Sequence, residues 1–192
     1  GDTVYLERQG RSGLLITVGI KAKVDESTPK TKYIEVGNRQ LRHVQRDIIE
    51  AYVKNCKEIT IKLNSSAEAK VIKQFIGYLV ALEVVQEDQK KIVAKDFLNY
   101  RDMEVERSLR RIEHIVYSML LDLKEVEKDK NMVQIILDRD QEVNRMAYLV
   151  MRILQVAAVD PEISSLLKLD PLKIIQQWSV NIYLEKIGDE IK

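Results

Sequence analysis

Two pairs of oxygen-bearing side chains occur at helical spacing near the end of the chain. Asp140 and Asn144 are four residues apart, and so are Glu185 and Asp189. Residues four apart lie on one face of a helix, with about 5–6 Å between their Cβ atoms. Two such pairs on facing helices would offer four oxygen ligands. That set suits hard cations such as Mg²⁺, Ca²⁺, Mn²⁺ or ferric iron better than it suits a structural zinc site.

Both pairs interrupt stripes that are otherwise apolar. A four-three spacing in the two helices passes through the four polar residues and through the following apolar positions: Val133, Leu137, Ala147, Met151, Leu154, Ala158, Ile175, Trp178 and Ile182. Because an unpaired buried carboxylate costs several kcal/mol, it must be paired or bound to a cation. We expect no Lys or Arg in these stripes, which favours a cation.

A second interpretation places the same carboxylates at a solvated edge of the seam. There Arg139, Arg145 or Lys186 would pair with them, and Val143 and Gly188 would take the inward positions. The spacing alone leaves both interpretations open.

The sequence gives little support for a catalytic site. The two histidines, His43 and His114, have no evident partner, and no Glu-x-x-His pair of a di-iron oxidase occurs. The seven glycines form no phosphate-binding loop. Cys56 is the single cysteine, so an internal disulfide is excluded and a cytoplasmic location is expected.

The composition is that of a helix-rich globular protein. The 192 residues are 45% hydrophobic and 32% charged, with a net charge of +1. No apolar run reaches membrane-spanning length, and no signal peptide is evident. Since the chain begins without Met and ends without a helix stop signal, we expect a fragment truncated at both ends.

The patterns of apolar residues predict three segments, 1–24, 36–98 and 101–192. Alternation on either side of Gly10 and Gly13 predicts a β-hairpin in the first. Residues 25–35 are polar and are interpreted as a loop. The second segment is expected to be a small α/β unit with helices starting after Asn38 and Ser65 or Ser66 and with three short strands.

The third segment is predicted to be an up-down-up bundle of three helices. The first begins with Asp102 as N-cap, and the second ends before Asp160–Pro161. Pro171 suits the first turn of the third. The fold class is therefore α+β, mainly α.

Two stretches that flank a connector, ILDRDQEVNRMAYLVMRIL and IIQQWSVNIYLEKIGDEIK, resemble the three-helix repeat of the PhoU family of phosphate-uptake regulators. That family carries E/DxxxD motifs on two helices of each bundle, the second usually written ERIGD. The matching residues here are Asp140 with Asn144, and Glu185 with Asp189. The resemblance implies a metal site for a cluster of iron or zinc, and the oxygen ligands add manganese and magnesium as candidates. Asn144 removes one charge from the site, which disfavours a cluster of several ions.

The start of the chain resembles a different module. GDTVYLERQGRSGLLITV is similar to the second half of an AbrB-like swapped-hairpin DNA-binding domain, which archaeal proteins of the PhoU type carry before an α/β segment and their bundle repeats. The chain departs from that pattern in having one bundle repeat and half of the hairpin domain. The basic residues that would contact DNA phosphates are Lys21, Lys23, Arg39, Arg42 and Arg46.

Taken together, these features predict a non-enzymatic, cytoplasmic regulator of phosphate homeostasis that binds metal. Its expected partners are a phosphate transporter or sensor kinase at the inner membrane, DNA and a second copy of the chain. The alternatives are a helical scaffold or dimerisation module without metal and, less favoured, a metal-dependent hydrolase.

Overall fold

The structure is a computed structural model, and it describes residues 4–9, 13–18 and 30–192. The predicted hairpin is present: strand β1 (Val4–Gln9) pairs antiparallel with β2 (Gly13–Val18). The rest of the 1–24 segment, including Lys21 and Lys23, lies outside the described residues.

A four-stranded mixed sheet with two helices follows the hairpin. Its elements are β3 (Thr31–Glu35), α1 (Leu41–Val53), β4 (Glu58–Lys62), α2 (Ser66–Tyr78), β5 (Leu82–Glu87) and β6 (Lys91–Asp96). The strand order is β3-β4-β6-β5, with β3 parallel to β4 and β6 antiparallel to both of its neighbours. The buried residues of both helices pack with the apolar positions of the strands in one core.

Strand β3 corrects the interpretation of residues 25–35 as a loop. Residues Thr31 to Glu35 pair with Glu58 to Lys62, and only Ile34 of this strand is buried. A strand that buries one side chain carries too little apolar alternation to stand out from a polar segment.

Helix α1 is shorter than predicted, whereas α2 begins as expected. The chain turns at Gly37, whose φ is +49°, and α1 starts at Leu41 instead of after Asn38. Ser65 caps α2 in a capping box: its hydroxyl accepts from the Glu68 backbone N–H, and the Glu68 carboxylate accepts from the Ser65 N–H.

The remainder of the described chain is helical. It comprises a short 3₁₀ turn (Tyr100–Asp102), α3 (Val105–Leu123), α4 (Asn131–Val159), α5 (Pro161–Leu166) and α6 (Pro171–Ile191). The breaks at Asp160–Pro161 and before Pro171 are confirmed. The expected N-cap Asp102 is wrong, because Asp102 belongs to the 3₁₀ turn and accepts from the Asn99 side-chain amide. Glu104 is the residue before α3.

Helices α3, α4 and α6 pack against one another around a shared apolar core. Asn181 on α6 contacts Ala147 on α4, and Lys192 contacts Asp140, so these two helices run antiparallel. The four-three spacing is wrong at four positions of these stripes, which are exposed: Val133, Leu137, Ala158 and Ile175. A strict four-three spacing drifts by about 20° per heptad against a straight α-helix, so the inward row shifts along α4.

Candidate functional site

The candidate metal ligands of α4 and α6 lie around a lysine. The Lys192 ammonium lies 2.9 Å from Oδ2 of Asp140 and 2.9 Å from Oδ1 of Asp189. The expectation that no Lys or Arg occupies these stripes is therefore wrong. Lys192 follows Asp189 by three residues, so it continues the four-three spacing by one step. We define the acidic cluster as Asp140, Glu185, Asp189 and Lys192.

Asp140 is the most buried carboxylate of the acidic cluster. Its side chain is only 7% exposed, and its Oδ1 atom has no hydrogen-bond partner within the described chain. Its Oδ2 atom accepts from the Asn144 side-chain amide at 3.3 Å as well as from Lys192. In this arrangement Asn144 is a donor to Asp140, so its amide nitrogen, and not an oxygen, is directed at the cluster.

The electrostatics of the cluster are those of crowded negative charge. Burial raises the pKa of Glu185 above its ordinary value, and the nearby negative charges of Asp189 and Asp140 raise it further. Hydrogen bonds to Asp189 and Asp140 raise the pKa of Lys192, so this lysine stays charged. The cluster thus carries three acidic groups and one permanent cation.

Gly188 lies where α6 packs against α4, beside Asp140. A Cβ atom on Gly188 would lie 3.4 Å from Cγ1 of Val143 and 3.9 Å from the unpartnered Oδ1 of Asp140. The alternative inward positions, Val143 and Gly188, are both buried, as is Asp140. The inward positions of both interpretations are therefore occupied together, but Arg139 and Arg145 pair with Asp122 and Glu142 and not with the carboxylates of the cluster.

Metal binding at the acidic cluster would require an ion to replace the Lys192 ammonium. Among the residues that the structure describes, no three His, Cys, Asp or Glu side chains are grouped so that they could hold a metal ion. Asp140 and Asp189 lie on either side of the Lys192 ammonium, and Asn144 donates to Asp140. Metal uptake stays a prediction, and it requires the ammonium to move aside.

Helix α4 carries a second row of contacts, directed at the α/β unit. The Arg145 guanidinium donates to the Tyr78 backbone carbonyl at 2.9 Å, and the Tyr78 hydroxyl donates to the Gln141 carbonyl. Tyr148 packs against the α/β core, and its pKa is raised by burial and then by the charges of Glu185 and Asp189. One helix therefore contacts both the acidic cluster and the sheet unit.

A buried arginine completes this row. Arg152 is fully buried and pairs with Asp96 at 2.6 Å and with Oδ1 of Asn55 at 2.8 Å. Its guanidinium lies over the Tyr52 ring, 4.6 Å from the centroid. Nothing in the interpretation of the seam pointed to Arg152. The available signal is a lone arginine inside the apolar run AYLVMRILQVAAV.

The predicted DNA-contacting residues are only partly described. Arg39 is ion-paired with Asp47 at 2.6 Å and also donates to the Glu35 carbonyl. Arg42 and Arg46 lie on the exposed side of α1. DNA contact by these residues stays a prediction.

Comparisons of the chain with family models, with curated proteins and with solved structures found no match. No helix in the described part of the chain is long and apolar enough to cross a membrane. The geometry of the acidic cluster is therefore the main basis for a functional conclusion.

Proposed function

We propose that this chain is a non-enzymatic regulator of phosphate uptake whose helical bundle responds to a hard cation at the acidic cluster. The support comes from the PhoU-like motifs of α4 and α6 and from the position of Lys192. In this proposal the bundle docks on a transporter or sensor kinase, and the hairpin segment reports to DNA.

The main support for the proposal is the Lys192 ammonium, a cation that the protein itself places in the acidic cluster. The Lys192 ammonium bridges carboxylates on two helices, at 2.9 Å from each. A positive charge is therefore already accommodated between α4 and α6. The unpartnered Oδ1 of Asp140 leaves one buried acceptor that this lysine does not satisfy.

Asp140, Glu185 and Asp189 are the residues that would hold a metal ion, with oxygen ligands only. A bound metal would supply positive charge that neutralises the carboxylates and links α4 to α6. The protein's own residues would then transmit the change. Arg145 connects α4 to the Tyr78 carbonyl in the α/β unit, so a shift of α4 moves the surface of that unit.

Metal-dependent stabilisation tests the proposal. The full chain is dialysed against Fe²⁺, Zn²⁺, Mn²⁺ or Mg²⁺, and thermal unfolding and metal content are measured. A ligand at 100 times its Kd stabilises the folded state by about 2.7 kcal/mol. We expect at least one metal to raise the free energy of unfolding of the wild-type protein by this order. The Glu185→Gln/Asp189→Asn variant should not show this increase. If no metal stabilises the wild-type protein, the proposal is wrong.

The chain offers a matched control for this double substitution. Glu125 and Asp129 have the same ExxxD spacing in the turn after α3, where Glu125 pairs with Lys128. Glu125→Gln/Asp129→Asn removes the same two charges away from the cluster. We expect this variant to bind metal as the wild-type protein does.

A second candidate function is a helical scaffold that binds no metal. The same ion pairs favour it, because Lys192 already neutralises part of the cluster. A scaffold would show the stabilising effect of Lys192 but no metal-dependent gain for any ion. The dialysis experiment therefore separates the two candidates.

A further inference from the structure

Helix α6 carries apolar residues on more than one side. Ile174, Trp178 and Leu184 pack against the core of the bundle. Away from that core, Val180 and Tyr183 are 46% and 66% exposed. A helix that is apolar all round is normally buried all round.

The neighbouring helix α3 exposes apolar residues on the flank next to α6. Arg111 and Asp122 form ion pairs with α4, which fixes the α4 side of α3. At 100° per residue, Tyr117 and Leu120 lie on the flank away from that side, next to α6. Both are more than two-fifths exposed.

The spacing of 100° per residue also defines which sides of α6 face α4 and α3. Asp189 and Lys192 mark its α4 side, because Lys192 bonds Asp140. Val180, Tyr183 and Ile187 lie on the opposite flank, next to α3. We name the resulting surface the α3–α6 groove. It is lined by five exposed apolar side chains: Tyr117, Leu120, Val180, Tyr183 and Ile187.

The α3–α6 groove is on the far side of the bundle from the α/β unit. That unit contacts the bundle through α4, at Gln141, Arg145 and Arg152. In a three-helix arrangement the groove between two helices lies opposite the third. The α/β unit therefore cannot cover the groove while it holds α4.

The area of the groove matches what a homodimer needs. At on the order of 150–250 Å² for each large side chain, the exposed fractions of these five residues amount to roughly 400–600 Å² of surface. A standard interface takes about 800 Å² from each partner, a little over half of it apolar. An exposed apolar patch of this size on one protein marks an interaction site.

Charges at the rim of the groove are self-complementary. On α3, Glu113 and Lys124 are exposed and lie on either side of Tyr117 and Leu120. When two copies meet with their α3 helices antiparallel, Glu113 of one copy faces Lys124 of the other. An isologous interface requires this kind of matching.

We propose that the α3–α6 groove is the surface through which two copies of this chain form a homodimer. The outer face of α6 and the flank of α3 would become buried there, which accounts for apolar residues on both sides of α6. The proposal does not depend on metal binding or on phosphate regulation.

The oligomeric state of the full chain tests it. Sedimentation equilibrium should give twice the monomer mass of 22.3 kDa at micromolar concentrations. Tyr183→Lys and Tyr117→Lys should each weaken association by about 30-fold or more, because tyrosines at an interface centre contribute disproportionately. Circular dichroism checks that each variant remains helical.

Tyr33→Lys is the matched control. Tyr33 is 75% exposed on strand β3, so the same substitution is made at a comparable tyrosine away from the groove. Unchanged association in this variant, with loss in the other two, supports the proposal. A monomeric wild-type chain at about 100 µM overturns it, and so does a dimer that Tyr183→Lys and Tyr117→Lys leave intact.

Discussion

Nη2 of Arg152 lies 2.6 Å from Oδ2 of Asp96, and the two side chains are 0% and 1% exposed. Arg152 belongs to α4 of the bundle, whereas Asp96 ends β6 of the sheet. Lys57 also donates to Asp96, at 2.7 Å. The two parts of the chain are therefore joined by a charged contact from which water is excluded. Removing one partner of a buried ion pair strongly lowers the free energy of unfolding, because the other charge stays buried without compensation.

Arg152→Met should lower the free energy of unfolding by about 3 kcal/mol, the lower end of the range for breaking a buried ion pair. The substitution leaves Asp96 buried with Lys57 as its remaining cation. Urea unfolding followed by circular dichroism measures the change. Lys62→Met is the control, since it breaks the exposed Lys62–Glu35 pair and should cost much less. Equal losses in the two variants would contradict the prediction.

The same pair predicts a dependence of stability on pH. Burial by itself would raise the pKa of Asp96, but hydrogen bonds from Arg152 and Lys57 outweigh it, and the pKa lies below its ordinary value of 3.8. A carboxyl whose pKa is lowered by folding contributes stability above its unfolded pKa and loses it as the pH falls through the folded pKa.

Thermal unfolding of the wild-type protein and of Asp96→Asn, measured from about pH 7 down to about pH 2, checks this sign. The stability advantage of the wild-type protein should be constant at neutral pH and should shrink below about pH 4. An advantage that persists unchanged to the lowest pH would show that ionised Asp96 is not its source.

Local signals in the sequence were sufficient at three helix boundaries, but not at the starts of α1 and α3. Ser65 with Glu68, Asp160 before Pro161, and Pro171 each act within one helical turn, so their effect does not depend on the rest of the fold. Strand β3 was missed because its place in the sheet depends on pairing with β4, which is distant in sequence.

The candidate site shows the same limit. The inward position of Asp140 follows from helical spacing and agrees with its burial. The pairing of Lys192 with Asp140 depends on how α6 lies against α4. The pairing of Arg152 with Asp96 depends on how the bundle meets the sheet. Helical spacing describes one helix at a time, so it cannot supply contacts between elements.

Lys192→Met should lower the free energy of unfolding by about 1–2 kcal/mol without added metal, because Asp140 then keeps a buried carboxylate without its charged donor. The value is reduced by the 40% exposure of the Lys192 side chain. Lys186→Met, at an exposed position on the same helix, should have little effect. Under the proposed function the Lys192 variant also gains more stability from added metal than the wild-type protein does. If Lys192→Met is as stable as the wild-type protein, the ion pairs of Lys192 do not stabilise the packing of α6 on α4.

Gly188→Ala tests whether this glycine is needed for packing. The added Cβ would lie 3.4 Å from Cγ1 of Val143 and 3.8 Å from Cγ2 of Val116, which are ordinary contacts. Because Ala is a better helix former, we expect a gain of up to about 1 kcal/mol. Gly77→Ala is the matched control in α2, since nothing lies within 4 Å of its Cβ position.

Urea unfolding measures the free energy of unfolding of both alanine variants and of a third variant, Gly188→Leu. The leucine variant should lose about 1–3 kcal/mol through overpacking between α4 and α6. A loss in Gly188→Ala as large as that in Gly188→Leu would show that the helices cannot yield even to one methyl group. The added Cβ would lie 3.9 Å from Oδ1 of Asp140. If Gly188→Ala is more stable than the wild-type protein but takes up less metal, we infer that the glycine keeps this oxygen accessible to an ion, because folding stability alone favours alanine.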